Sequence, residues 1–141
     1  MAAKLGNRLL DTSLSFANPN VGVVATSDDE DNIKIMIYYM AESIECKLDN
    51  FKIRINIEGL KGDYQLNHYR IDKNNSNSHT RWIELGKPEN PNQIQREQIH
   101  MAGCLSLYYP SETLNAVTSY SEDIVMSPNA VSLVELIKIN K

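Results

Sequence analysis

The chain has 141 residues, 42% hydrophobic and 23% charged, the composition of a soluble globular domain rather than a disordered segment. That length suits one domain with its own core and falls well short of the roughly 250 residues of a (β/α)8 barrel. Lys and Arg number 14 against 18 Asp and Glu, and a net charge of −4 argues against binding nucleic acid or an anionic membrane, since both need a basic face.

The chain opens Met1-Ala2-Ala3-Lys4-Leu5-Gly6, without the apolar stretch of a signal peptide, and no later apolar run reaches the roughly 18 residues of a membrane span. Residues 21–26 are the first candidate strand. Asp28, Asp29, Glu30, Asp31 and Asn32 then form a turn, whose like charges favour a solvated tip. Ile33, Ile35, Ile37 and Tyr39 repeat with the period of two of a half-buried strand, and Phe51, Ile53, Ile55 and Ile57 do so with Lys52, Arg54 and Asn56 between them. That alternation places the four apolar side chains in the core and the three polar ones in solvent. Residues 58–63, with Gly59 and Gly62, read as a turn into another strand over 64–71.

Residues 75–103 depart from this pattern. Asn90 is a candidate N-cap, with Pro91 at the first helical position, Gln93 completing a capping box and Gly103 just past the helix end. A second helix is expected over 76–85. Residues 122–127 are another candidate strand, and Ser127-Pro128-Asn129-Ala130 a turn. Val131, Leu133, Val134, Leu136 and Ile137 form a dense run suited to a central strand. Six or more short strands with turns between them predict a single antiparallel β-sandwich domain with a helical excursion near residues 76–103.

No residue set carries an evident chemistry. The carboxylates fall largely in turns and on strand faces that read as exposed, with no pair placed for acid–base work. Asp72-x-Asn74-x-Ser76 opens like a calcium loop, but the sixth position is Asn77 rather than Gly and the twelfth is Ile83 rather than Glu. His68, His79 and His100 lack metal-ligand spacing, and His68 reads as a packed strand residue. Neither a Gly-x-Ser-x-Gly elbow nor a phosphate loop is present. No catalytic residue, cofactor or metal ligand is assigned. Cys46 and Cys104 make no Cys-x-x-Cys; read as free thiols they fit a reducing, cytoplasmic setting. Trp82, Tyr108 and Tyr109 leave open a sugar-stacking platform beside the commoner role of aromatic packing.

One run is more specific: His68-Tyr69-Arg70-Ile71-Asp72, then Asn75-Ser76-Asn77-Ser78, Trp82, Leu85-Gly86-Lys87-Pro88 and Asn90-Pro91. It resembles the carboxyl-terminal region of the β-xylosidases of glycoside hydrolase family 39, where Tyr-Arg-Ile-Asp leads into a His-Ser-Asn segment, a Trp and a Met-Gly-x-Pro turn. Residues 60–103 carry the likeness best, and Leu5 to Leu10 echo the segment where that family's chain leaves its barrel. Asn75 stands where the family often has His, and Leu85 where Met is usual.

The resemblance implies a β-sandwich accessory domain beside a catalytic (β/α)8 barrel, in a retaining glycosidase that releases xylose or a related sugar. The family's acid/base is the Glu of an Asn-Glu pair, a dipeptide this chain lacks. It also implies packing or docking roles for Tyr69, Arg70, Asp72, Trp82, Leu85 and Pro88. Expected partners are the barrel and, through oligomer contacts, further copies of the chain; an autonomous carbohydrate-binding module is the alternative.

Overall fold

The computed structural model describes residues 1–43 and 48–139, so Cys46 lies outside the described residues. A single 3-10 turn, Ala2–Lys4, precedes β1 (Arg8–Leu9), β2 (Val21–Ser27), β3 (Ile33–Tyr39) and β4 (Phe51–Ile71). Two helices follow, α1 (Ser78–Glu84) and α2 (Gln93–Gly103), and then β5 (Glu112–Met126) and β6 (Ala130–Ile139). The strands form one open six-stranded sheet in the order β1-β2-β3-β6-β4-β5, every pair antiparallel. The mainly-β antiparallel class and the helical excursion are as the sequence predicts. Hydrogen bonding joins all the strands into one sheet rather than two separate ones.

The core follows from the alternation. Register sets Ile35 opposite both Ala25 and Val134, and Leu136 opposite both Ile33 and Leu66, so apolar side chains of four strands share one face. Ile53, Ile55, Ile124 and Met126 join Val21, Ala25, Ile35, Ile37, Val134 and Leu136 in one buried cluster. As expected, Phe51 and Ile57 are half-buried beside it, while Lys52, Arg54 and Asn56 are exposed. Arg54 and Lys52 both reach Asp123 on β5, at 2.6 and 2.9 Å, and hold its carboxyl well below the usual carboxylate range. β6 lies between β3 and β4 and is buried on both faces from Ser132 to Leu136, which is why its apolar run is dense rather than alternating.

Residues 58–63 are not a turn. They are a bend inside the 21-residue β4, with register shifts between Glu58 and Gly62 and between Gly62 and Tyr64. Gly59 and Gly62 take φ of 77° and 103°, so the glycines serve bulges that redirect the strand without reversing it. The half before the bend pairs with β5 alone, and β6 comes alongside only from Asp63.

β5 begins ten residues before the strand expected over 122–127. Its first half is polar, and Ala116, at φ 49°, breaks the period. On β2, Gly22 lies under the Tyr38 ring, where any Cβ would collide.

The turn between β2 and β3 is more organised than a solvated tip. The Asp28 carboxylate accepts from the Glu30 and Asn32 amides, the Asn32 side chain and Lys34 Nζ, at 3.1 to 3.2 Å. Partial burial pushes this carboxyl up, but the hydrogen bonds outweigh it and bring the pKa below normal. Asn32 is itself buried and accepts from the Lys138 amide at 2.8 Å, tying the turn to β6.

Candidate functional site

The run singled out in the sequence is the passage from β4 into the helical pair. Asp72 organises it. Its Oδ1 accepts from the Asn74 and Asn75 amides at 2.7 and 2.9 Å and from the Asn75 side chain at 2.8 Å, an Asx turn. Asn77 Nδ2 donates back to the Asp72 carbonyl at 2.8 Å, while Asn77 Oδ1 accepts from the His79 and Thr80 amides as the N-cap of α1.

Leu85-Gly86-Lys87-Pro88 ends that helix. The Leu85 and Gly86 amides donate back into the last turn, Gly86 takes φ 84°, and Trp82 Nε1 donates to the Pro88 carbonyl at 3.1 Å. Trp82 also stacks on His79 at 5.7 Å. Asp72, Trp82, Leu85 and Pro88 thus all serve one local structure, and all four are half-buried.

α2 starts two residues later than the sequence predicts. Asn92, not Asn90, is the N-cap, with Gln95 completing the capping box, because that reciprocal pair satisfies two amides at once. Gly103 is the last helical residue rather than a left-handed cap. A Cβ there would stand 3.2 Å from Ser78 Cβ, so the glycine permits close approach to the start of α1.

The two helices contact each other, with Arg81 donating to Gln98 at 3.2 Å, and neither contains a buried residue. Ile83, Ile94 and Met101 are 43%, 67% and 69% exposed. Ile94 and Met101 lie two turns apart on one side of α2 and form an apolar stripe facing solvent.

The chain returns from α2 along the end of β4. Leu107 bridges to Tyr69, and the Tyr108 amide donates to the His68 carbonyl at 2.7 Å, which lays Tyr108 and Tyr109 over the His68 ring at 5.3 and 5.9 Å. Arg70 is buried. Its guanidinium lies 4.3 Å from the Tyr108 ring centre and donates to Ser132 Oγ at 3.1 Å. Beside His68 stands Glu122 of β5, its Oε1 3.4 Å from Nδ1, and neither imidazole nitrogen completes a hydrogen bond.

Tyr120 Oη donates to Glu122 Oε2 at 2.9 Å; burial and the adjacent carboxylate push the Tyr120 phenol well up. Burial alone would raise the Glu122 carboxyl. The adjoining His68, the Tyr120 hydroxyl and the Arg70 guanidinium outweigh it and bring the carboxyl below its ordinary 4.5. The stabilisation from a depressed carboxyl is present above that value and is lost as pH falls through the folded-state pKa. Unfolding temperature should therefore drop below about pH 4.5, and Glu122→Gln should flatten that slope while costing about 1–3 kcal/mol near neutrality.

The sequence does not disclose this cluster. Nor does it disclose the buried carboxylate of Glu135 on β6, which pairs with Lys4 at 3.0 Å. Lys4 Nζ also lies 4.6 Å from the Tyr69 ring centre, fastening the amino-terminal turn to the sheet. Glu135 is opposite Asn67 and the adjacent His68 is opposite Val134, so Glu135 and the Glu122 beside His68 lie on opposite faces of the sheet. They cannot flank one glycosidic bond.

The Tyr108 and Tyr109 rings are tilted 54° to each other, and Trp82 has His79 as its ring partner, so the three aromatics do not make one flat platform. Among the described residues no set of three His, Cys, Asp or Glu is placed to hold a metal, and Cys104 is an exposed free thiol. No helix among them is long and apolar enough to cross a membrane.

Comparison with known proteins gives this arrangement a context. The bacterial orthologue of human α-L-iduronidase superposes with a TM-score of 0.73 at 15% identity, over 86% of this chain and 23% of its own. A GH39 enzyme from Xanthomonas axonopodis pv. citri gives 0.70 at 14%, over 83% of this chain and 26% of its own. A monomeric β-xylosidase from Caulobacter crescentus CB15 gives 0.68 at 16%, over 88% and 27%.

At these identities the likeness is one of fold, and the chain spans about a quarter of the length of the structures it matches. No curated protein matches it in sequence. The sequence profile of glycosyl hydrolases family 39 matches residues 1–105, three quarters of the chain, and the chain belongs to that family.

Proposed function

We propose that this chain is the non-catalytic accessory domain of a β-xylosidase-like glycoside hydrolase, buttressing a catalytic (β/α)8 barrel in the degradation of xylan-derived oligosaccharides. The observation that carries this reading is the helical pair. Neither helix contains a buried residue, Ile83, Ile94 and Met101 face solvent, and Asn77 Nδ2, donating to the carbonyl of Asp72, ties the start of α1 to the residue that follows β4. An apolar surface on so small a support suits a neighbour it packs against. The glycosidase structures of the same fold have about three quarters of their length to supply one.

The carboxylates support the same reading. Glu122 and Glu135 are each committed to a cation or a hydroxyl of this domain and lie on opposite faces, so neither is free for acid–base work. The purified chain should therefore leave aryl β-xylosides and related aryl glycosides intact. Turnover that copurifies with the chain and disappears on Glu122→Gln or Glu135→Gln, with the fold retained, would overturn the proposal.

A further inference from the structure

A different surface, independent of the glycosidase reading, lies along the first half of β4. From Phe51 to Glu58 this strand pairs with β5 on one side, while β6 reaches its other side only from Asp63. Among the described residues no backbone hydrogen bond satisfies that second edge over 51–58. A cleft of about 950 Å³ runs beside it, lined by every residue from Ile53 to Gly59 and, across the gap, by residues 10–16 with Val23 and Ala25.

Natural edge strands are commonly guarded by proline, a bulge, short length or charged side chains. This one has no proline, its register shifts begin only after Glu58, and its exposed charges, Lys52, Arg54 and Glu58, are of both signs, so a partner that matches them is not repelled. Among the described residues, eight residues of regular strand have no backbone partner on this edge.

We propose that a second copy of the chain occupies this edge, the two β4 strands pairing antiparallel about a two-fold axis at Ile55. Strand pairing keeps like faces together, so the register is constrained. With Ile55 opposite its own copy, Ile53 meets the partner copy's residue 57, an isoleucine, on the core side. On the solvent side Lys52, which Asp123 of its own chain also holds at 2.9 Å, meets residue 58, a glutamate, and Arg54, which keeps Asp123, meets residue 56, an asparagine.

The symmetry makes two Lys–Glu contacts, and Glu58 has no ion pair within its own chain among the described residues. A parallel neighbour in register would instead set Lys52 on Lys52 and Arg54 on Arg54, which opposes it. The interface is isologous, as a two-fold dimer requires, and the added strand would continue the β4–β5 layer across the cleft.

The test is sedimentation equilibrium on the full chain across a micromolar concentration series, with Glu58→Lys and Lys52→Glu prepared separately. The wild type should dimerise. Each variant alone should dimerise about tenfold or more weakly, since its own homodimer sets like charges together. An equimolar mixture of the two should recover wild-type dimerisation as a heterodimer, because mixing restores both opposite-charge contacts. Circular dichroism checks that each variant folds.

A wild type that stays monomeric overturns the proposal. A dimer indifferent to both substitutions, meeting for example through the α1–α2 surface, also overturns it. So do two variants that remain monomeric when mixed.

Discussion

Ile37→Ala should destabilise the chain by about 2–5 kcal/mol, the range for truncating a fully buried isoleucine. Ile37 is 1% exposed at the middle of β3, hydrogen-bonded between β2 and β6, with Val23 opposite it on one side and Ser132 on the other. Its side chain belongs to the same cluster as Ile53, Ile55, Ile124 and Met126, from the half of β4 before the bend and the β5 residues paired with it. Urea unfolding should show the loss as a lower midpoint with little change in slope. Met36→Ala, one residue away on the opposite face and only half-buried, should cost visibly less.

Lys4→Met should cost about 2 kcal/mol, for a reason unrelated to packing. The Glu135 side chain is 4% exposed, and Lys4 is the cation that reaches it, at 3.0 Å. Removing one member of a buried pair costs about 3–5 kcal/mol because the other is left charged in a poor solvent. Lys4 itself is 39% exposed, so water screens part of that cost. Burial would lower the Lys4 pKa, but the Glu135 carboxylate outweighs it and raises the pKa above normal, the sign expected of a cation held by a partner. Adding Glu135→Gln to Lys4→Met should recover much of the loss. If the double variant is no better than the single one, the cost lies in the contact of Lys4 with Tyr69 and not in the carboxylate. Thermal unfolding of the three proteins distinguishes the two.

How much of this was legible in the sequence depended on whether a residue's partner was local. The alternations in β3 and in the first half of β4 set their own faces, and the dense run at 131–137 marked a central strand because burial on both sides removes polar positions. The capping asparagine of α1 lay inside the expected 76–85 helix region, though α2 took Asn92 over Asn90 once the capping box decided between them.

In the sequence, residues 58–63 look like a turn because glycines at positive φ serve hairpins and bulges equally; only pairing with β5 and β6 distinguishes the two. The first half of β5 was hidden by its polar side chains and its bulge. Half-buried Glu122 and buried Glu135 look solvent-facing in a one-dimensional pattern because the residues they face, His68 and Lys4, are 54 and 131 residues away in the chain. Of the six residues singled out around the helical pair, Asp72, Trp82, Leu85 and Pro88 share one turn structure, while Tyr69 and Arg70 point to opposite faces of β4.

The claim on which the functional reading turns is that α1 and α2 form a surface made for a neighbour, not part of the domain's own core. Native-state hydrogen exchange tests it most directly, comparing Ser78–Glu84 and Gln93–Gly103 with Ile33–Tyr39 and Ala130–Ile139. With no buried residue in either helix, the helix amides should exchange through local opening, well before those of β3 and β6, and independently of Ile37→Ala. If the helices instead exchange as slowly as the central strands and are weakened in step with them by Ile37→Ala, they belong to the same cooperative core. In that case the docking account is wrong.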